Sequence, residues 1–386
     1  MRTSAFVYPW DVIGDPDAAR RIADLGVQQV TLAAAYHSTR ALTPRHPRHR
    51  VVTAEHAAVL YPVDEQRWAE AELRPYAAGD WAPGDAYGEA AAALADAGLD
   101  VHTWVVLAHN SRLGAERPDT SVVNAYGDRY PWAPCIAQPV TRAYLVALAA
   151  EAATRPGARG TELESLGWYG LAHLHAHDKI GGVGLGEAAQ YLMSLCFCPD
   201  CRAGYAGHGL DPDDLSRSVR AALEPVWRGE PADDGWAGVE KLLGAEQAAA
   251  TRAYRDATAR TLQEAAVTAV REAAPAGFQV LLHADPVSYH CGANAGVDPA
   301  HILSVADGVV VPCTGGAGLL APFAAEGRGA LAANLTVVRG MGGSPGTLAA
   351  DVRAARELGA NELRLYHAGL APDADLDLVR AALAEL

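Results

Sequence analysis

The chain has 386 residues, half of them hydrophobic and a fifth charged, and its formal net charge is −15. This composition argues against a disordered chain, and the acidic balance argues against nucleic acid or a membrane as partner, because both favour basic surfaces. No stretch approaches the roughly 20 apolar residues of a membrane span. Pro9 and Asp11 come before any apolar segment of a signal peptide, so a cytoplasmic protein is expected.

Eight short apolar segments alternate with Ala-, Leu- and Arg-rich helical stretches, which predicts a parallel sheet. The segments are Ser4–Tyr8, Gln28–Ala35, Val101–Ala108, Thr161–Ser165, Phe278–His283, Gly308–Val311, Ala330–Val338 and Glu362–His367. The dipeptide Asp15-Pro16 is typical of a helix start and predicts the first helix there. Residues 1–386 are therefore predicted to form one α/β domain, a closed (β/α)8 TIM barrel. An open doubly wound sheet is disfavoured because no Gly-rich phosphate turn follows the first strand.

Three long segments follow strands 2, 3 and 4 and exceed ordinary connections. They span residues 36–66, 110–139 and 167–240, and the third is long enough to be a large insertion with its own subdomain. Segments that follow barrel strands lie at the carboxyl face, where barrel enzymes place their active sites. We therefore expect these three segments to surround the functional site.

Glu162 and Glu164 lie two residues apart in the predicted fourth strand, so their side chains share one face. If that face is the barrel interior, Glu164 lies at the rim with Glu162 one layer below. Two acids in a partly desolvated mouth raise one pKa, which is how a protein makes a general acid at neutral pH. An exposed strand face or a structural ion pair with a neighbouring Arg is the alternative.

Polar and aromatic residues follow most of the other predicted strands, which describes a polar mouth on an apolar barrel. Amphipathic rings suit a sugar, with its apolar faces and hydroxyl edges. Asp285 is the best second carboxylate. The substrate-binding candidates are Tyr8, Trp10, Asp11, His37, His109, Asn110, Trp168, His283, Arg339, Tyr366 and His367.

The segment HLHAHDK follows the fourth strand and adds His173 and His175 to the substrate-binding candidates. The segment has two alternative interpretations. On a helix, His173 and His177 would share a face and could bind a metal. Otherwise it is a plain surface segment without a functional role. No organic cofactor is expected.

Cys196, Cys198 and Cys201 have a C-x-C-x-x-C spacing that suits a thiolate metal site better than a disulfide framework. A fourth ligand is needed, and Cys135 is the natural candidate, with His208 as the alternative. Such a closed zinc site would be structural and would join two of the long segments. Free thiols in a reducing compartment are the other interpretation.

The stretch from Val123 to Tyr205 resembles barrel glycoside hydrolases, in particular the zinc-containing β-galactosidases. In that family a Cys after strand 3 joins a C-x-C-x-x-C cluster after strand 4, which matches Cys135 and the cysteine triplet. The family's acid/base Glu at the end of strand 4 matches Glu164. The resemblance covers about a quarter of the chain, and the cysteine pattern is its most specific part.

Two departures separate the chain from those enzymes. Their nucleophilic Glu ends strand 7, where this chain reads NLTVVRGMGG with Arg339 and no carboxylate. The Asn that usually precedes the acid/base Glu is replaced by Leu163. The resemblance therefore implies an outlying group of glycoside hydrolases and does not carry over the retaining mechanism.

The sequence predicts an enzyme that hydrolyses a glycoside or glycosylated natural product, with Glu164 as general acid and Asp285 or Glu162 as the partner carboxylate. One alternative is a metal-dependent sugar isomerase, epimerase or lyase. Another is a barrel that binds carbohydrate without catalysis. The partner is a small-molecule carbohydrate in each case, and a homo-oligomer is left open.

Overall fold

A computed structural model of the chain describes residues 1–171, 178–231 and 234–386. Its eight central strands, numbered β1 to β8, are Arg2–Val7, Gln29–Tyr36, Asp100–Val106, Ala158–Glu164, Gln279–Asp285, Gly308–Pro312, Ala330–Thr336 and Glu362–Tyr366. Each strand pairs in parallel with the next, and β8 pairs with β1 to close the barrel. The predicted TIM barrel is confirmed, because every predicted segment coincides with one of these strands.

Helices cover the outside of the barrel. They are α1 to α14: Pro9–Val12, Ala18–Ala23, Ala86–Asp96, Ser111–Glu116, Pro139–Ala153, Glu187–Met193, Pro199–Gly207, Pro212–Trp227, Gly235–Leu243, Ala245–Ala273, Pro299–Val305, Ala321–Ala324, Leu348–Glu357 and Asp373–Ala384. Within the described residues, no helix combines the length and apolar character needed to cross a membrane.

The helices α6 to α9 lie between β4 and β5 and confirm a large insertion after strand 4. The connection after β2 carries a hairpin of Thr39–Leu42 with Val51–Ala54, and it extends to residue 85, further than predicted. The connection after β3 carries a second hairpin, Ser121–Val123 with Arg129–Pro134. All three therefore project from the carboxyl end of the barrel.

The helix predicted to start at Asp15-Pro16 is α2, and it starts later than the sequence predicts. It begins at Ala18, and not at Pro16, because Asp15 is engaged elsewhere. The Asp15 carboxylate accepts a hydrogen bond from the Asp17 backbone N–H at 3.1 Å and pairs with Arg21. Asp15 thus stabilises the turn before the helix and does not cap the helix itself.

Side chains that alternate along the strands fill the barrel interior in layers. We name two of them by their residues. The lower layer contains Ser4, Thr31, Glu162 and Arg364. The upper layer, nearer the carboxyl ends of the strands, contains Phe6, Trp104, Glu164 and His283.

Candidate active site at the barrel mouth

Glu162 in the lower layer is fully buried and has its partners inside the barrel. Arg364 Nε lies 2.6 Å from its Oε1, and the Thr31 hydroxyl donates to the same oxygen at 3.0 Å. Burial alone would raise the pKa of Glu162, but the Arg364 charge and the neighbouring His283 outweigh burial and lower the pKa to about 2. Glu162 is therefore an ionised member of an internal ion pair.

Glu164 ends β4 and lies in the upper layer, almost fully buried. Trp104 Nε1 donates a hydrogen bond of 2.6 Å to its Oε2. Its other oxygen, Oε1, accepts no hydrogen bond from the residues that the structure describes. Glu164 thus has one oxygen fixed in place by Trp104 and one that accepts no hydrogen bond from the described residues.

His283 lies between the two glutamates. Its Nε2 is 3.6 Å from Glu162 Oε2, and its Nδ1 is 3.9 Å from Glu164 Oε2. Both separations exceed a good hydrogen bond, but they lie within the range over which charges interact. The imidazole therefore links the lower layer to the upper layer electrostatically.

The backbone is unusual directly after two of the strands at the mouth. Among the described residues, Ser165 and His367 are the two non-glycine residues with positive φ, each at 61°. They follow Glu164 at the end of β4 and Tyr366 at the end of β8. Left-handed backbone at non-glycine residues is costly and clusters at functional sites. Here it turns the chain sharply beyond the last inward-facing side chain of each strand.

Aromatic and imidazole rings above Glu164 form what we call the floor: Tyr8, Tyr36, His37, Tyr366 and His367. The Tyr8 hydroxyl donates to the Tyr36 hydroxyl at 2.9 Å and lies 3.2 Å from His367 Nδ1. Burial raises the pKa of each floor tyrosine well above its usual value, and the Glu164 charge adds to this. Burial lowers the pKa of His37, and it lowers that of His367 to about 3. The floor is therefore a set of neutral hydrogen-bonding groups.

A cleft of about 660 Å³ opens over the floor. Its walls come from the hairpin after β2, the turn after β7 and the residues after β8. Besides the floor residues, the lining consists of Thr39, Arg40, Ala41, Leu42, Pro44, Val338, Gly340, Met341, Leu370, Pro372 and Asp375. This volume lies within the range of small-molecule sites.

The four cysteines expected to act together do meet in the structure. Cys135, Cys196, Cys198 and Cys201 are all buried, and their sulfur atoms lie within 4.8 Å of one another. Cys135 Sγ is 3.5 Å from Cys201 Sγ and 3.7 Å from Cys198 Sγ. His208, the alternative fourth ligand, is outside this group, and its Nδ1 faces the Gly204 carbonyl at 3.0 Å.

No known protein-family model and no curated protein matches the chain. Solved structures do. An α-L-fucosidase from Paenibacillus thiaminolyticus matches with a TM-score of 0.59 at 12% identity, over 100% of this chain and 49% of the fucosidase chain. The β-amylase catalytic domain from Paenibacillus polymyxa matches with a TM-score of 0.57 at 13% identity, over 100% of this chain and 98% of the β-amylase chain. A GH42 β-galactosidase from G. stearothermophilus matches with a TM-score of 0.52 at 11% identity, over 99% of this chain and 56% of the β-galactosidase chain.

The chain has a TIM-barrel glycoside hydrolase-like fold. It spans about half the length of the fucosidase chain, and at these identities the likeness concerns the fold alone. The four-cysteine cluster accompanies that fold in this chain. Activity and substrate have to be argued from the residues of this glycoside hydrolase-like barrel.

Asp285, the predicted second carboxylate, has partners other than Glu164. It accepts hydrogen bonds from the Val287 N–H at 2.8 Å and from His290 Nδ1 at 3.0 Å. The bond to Asp285 raises the pKa of His290. Asp285 lines a separate cavity of about 310 Å³ beside Glu187, and within the described residues no hydrogen bond or ion pair joins it to Glu164.

Other predicted residues at strand ends have structural partners. Asn110 caps α4 by accepting from the Leu113 N–H at 3.0 Å. Trp168 is buried beside the insertion, where its Nε1 donates to the Arg255 carbonyl at 3.0 Å. His109 stacks on Tyr169 with ring centroids 5.1 Å apart.

Three other candidates after β1 and β7, namely Trp10, Asp11 and Arg339, contact cleft residues but are not part of the cleft lining. Trp10 stacks on Tyr8 at 4.6 Å and is buried. Asp11 accepts from the Tyr8 N–H at 2.8 Å, and burial raises its pKa to about 7. Arg339 is mostly exposed and pairs with Asp375, 2.5 Å from Nε to Oδ1. The predicted contacts of His173 and His175, and the metal alternative with His177, lie outside the described residues.

Several residues of the site were not among the sequence candidates, including the floor residue Tyr36. Trp104 and Arg364 hold the two glutamates, and Asp375 lines the cleft. Arg364 carried a usable signal, because a charged residue inside a predicted central strand needs a partner, as the glutamate pair does. Trp104 and Asp375 have no such signal in the sequence.

Proposed function

We propose that this chain binds a glycoside at the barrel mouth and hydrolyses it with Glu164 as the general acid. The observation that carries the proposal is the difference in hydrogen bonding between the two oxygens of the Glu164 carboxylate. Trp104 fixes Oε2, Oε1 accepts no hydrogen bond from the described residues, and the Glu164 charge acts on the floor tyrosines. The glycoside hydrolase-like fold supports the same proposal.

In this reaction Glu164 gives its proton to the glycosidic oxygen as the bond from the anomeric carbon to that oxygen breaks. A water molecule adds to the anomeric carbon, and its proton passes to a second carboxylate. Asp285 is the proposed partner, because the Arg364 ion pair makes Glu162 a weak base, and this role requires the ligand to reach the cavity that Asp285 lines. Carboxyl groups about 5–5.5 Å apart would give retention, and about 6.5–9.5 Å would give inversion.

The test compares wild type with Glu164→Gln on a panel of fluorogenic aryl glycosides. Wild type is expected to hydrolyse at least one glycoside, and Glu164→Gln to lose about 10²–10⁴-fold in kcat. Glu272→Gln, on the exposed surface of α10, is the matched control and should retain full activity. A Glu164→Gln variant with wild-type kcat would contradict the proposal. Sugar binding without turnover by wild type across the panel would favour the carbohydrate-binding alternative.

We also propose that the four cysteines hold a structural zinc ion. A tetrahedral zinc with bonds of about 2.3 Å places its thiolates roughly 3.8 Å apart, which agrees with the measured separations of 3.5 and 3.7 Å. Backbone N–H groups of Val123 and Cys198 point at Cys196 Sγ, at 3.4 and 3.5 Å, as expected around a charged sulfur. The bound ion would join the hairpin after β3 to the insertion.

Metal analysis of the purified protein tests this assignment. We expect about one zinc per chain in wild type and in Cys313→Ser, which changes a buried cysteine outside the cluster. Cys201→Ser should lose the metal and lower the Tm. Wild-type protein from zinc-supplemented cultures that contains no zinc would refute the assignment.

A further inference from the structure

The walls of the cleft differ in chemistry from its floor. Leu42, on the hairpin after β2, is 68% exposed, and Met341, on the turn after β7, is 48% exposed. Both line the cleft, and Val338 and Leu370 continue the apolar wall toward the floor. Polar groups dominate at the bottom, where the Tyr8 and Tyr36 hydroxyls and the His367 ring lie.

One exposed leucine on a protein surface needs no explanation. Here two large apolar side chains come from loops after different strands, and they border the same concave surface. The acidic group in this lining, Asp375, is already engaged by Arg339, and the basic group, Arg40, lies on the same hairpin as Leu42. The upper part of the cleft is therefore suited to an apolar group of a ligand.

We propose that the substrate is a glycoside with an apolar aglycone, an alkyl or aryl group that lies between Leu42 and Met341 while the sugar rests on the floor. The inference rests on the proposed function. It follows from the order of floor and walls, because the floor carries hydroxyl and imidazole groups, and the exposed Leu42 and Met341 lie on the walls above it. A ligand that spans these layers has a sugar at its inner end and a hydrocarbon at its outer end.

The test measures the binding of methyl, butyl and octyl glucosides and galactosides to Glu164→Gln by titration calorimetry, below their micellar concentrations. Each methylene that leaves water strengthens binding about fourfold. We expect octyl glycosides to bind at least 100-fold more tightly than methyl glycosides. The Leu42→Ser/Met341→Ser double variant, made in the same background, should reduce this ratio at least tenfold while leaving methyl glycoside affinity within twofold.

Leu358→Ser, which changes an exposed leucine remote from the cleft lining, is the matched control and should keep the full chain-length dependence. Affinity independent of alkyl length would overturn the inference, even if wild type hydrolyses the methyl glycosides. Equal chain-length dependence with and without the double substitution would overturn the assignment to Leu42 and Met341. If no glycoside is hydrolysed but the chain-length dependence disappears in the double variant, the apolar subsite stands and the hydrolytic proposal fails.

Discussion

Each of the two layers of the barrel interior contains a buried glutamate, but the two glutamates have different hydrogen-bond and ion-pair partners. In the lower layer, the carboxylate of Glu162 has a guanidinium at 2.6 Å and a hydroxyl at 3.0 Å, and all these partners come from the barrel strands. In the upper layer, Glu164 has a single indole partner at 2.6 Å and an oxygen that the described residues leave without a hydrogen bond. The two glutamates are separated by one residue of the same strand.

The comparison shows that a charged residue inside a barrel is not by itself a functional residue. Burial of a charge is tolerated where the fold supplies the counter-charge, as Arg364 does for Glu162. A group that is buried, fixed in position and left with spare hydrogen-bonding capacity is the one prepared for a ligand. Each glutamate keeps one oxygen, Glu162 Oε2 and Glu164 Oε1, without a hydrogen bond from the described residues. The two differ in the other oxygen, which faces the buried Arg364 charge in Glu162 and the neutral Trp104 indole in Glu164. Glu164 is therefore the candidate for chemistry, and Glu162 is a group that supports the barrel.

The largest expected effect is on stability in the lower layer. Glu162→Ala leaves the buried Arg364 with Glu362 as its remaining ion-pair partner among the described residues, so the free energy of unfolding should fall by about 3–5 kcal/mol. Glu164→Ala removes one hydrogen bond and should cost about 1–2 kcal/mol. Urea unfolding at pH 7 measures both.

The control for this comparison is an exposed ion pair. Asp377→Asn breaks the surface pair with Arg380 and should change the free energy of unfolding by less than about 1 kcal/mol. Equal losses for Glu162→Ala and Glu164→Ala would show that the layers do not differ in the way described above.

A second prediction concerns Asp11, a buried carboxylate beside the floor whose burial is poorly compensated. Burial raises its pKa to about 7, although the Tyr8 N–H and the Arg45 charge oppose this. Because the pKa in the folded state exceeds the unfolded value of about 3.9, the contribution of Asp11 to stability is full below pH 4 and is lost as pH rises through 7.

Asp11→Asn removes this titration. The variant should match wild type near pH 4 and exceed its free energy of unfolding by roughly 4 kcal/mol at pH 8. Urea unfolding at pH 4, 6 and 8 measures the difference between the two proteins. A difference that does not change with pH would contradict the prediction.

The lower layer should show the opposite pH dependence. The pKa of Glu162 is about 2 in the folded protein, below the unfolded value of about 4.3, so its contribution is present above pH 4.3 and is lost as pH falls toward 2. Between pH 5 and pH 3 wild type should lose roughly 2 kcal/mol that Glu162→Gln does not lose. Unfolding at pH 5, 4 and 3 compares the two proteins, and parallel curves would exclude this role for Glu162.

The fold could be predicted from the sequence because each strand carries its own signal. Apolar runs between helical stretches identified all eight strands, and the two-residue period correctly placed Glu162 and Glu164 on one face. The C-x-C-x-x-C spacing likewise identified three cysteines that meet in the structure. Each of these patterns is local, because it involves residues that are close together in the sequence.

The partners of those residues could not be predicted in the same way. Arg364 reaches Glu162 across the barrel from 202 residues away, and no spacing rule encodes that contact. A position at a strand end also leaves open the direction that the chain takes afterwards, which is why Asn110 caps a helix and Trp168 packs beside the insertion. Periodicity predicts which face of a strand a residue occupies, but it does not predict which residue from another part of the chain contacts it.

The smallest expected effect concerns the floor of the upper layer. Tyr8→Phe removes the hydroxyl that donates to Tyr36 at 2.9 Å, so the free energy of unfolding should fall by about 1 kcal/mol. Tyr61→Phe is the matched control, because the Tyr61 hydroxyl is buried without a hydrogen bond to any described residue and its loss should be neutral or slightly stabilising. If the floor contacts the sugar, Tyr8→Phe should also weaken glycoside binding several-fold in calorimetry, while Tyr61→Phe should not. Equal effects of the two substitutions on binding would mean that the Tyr8 hydroxyl stabilises the barrel and does not contact the ligand.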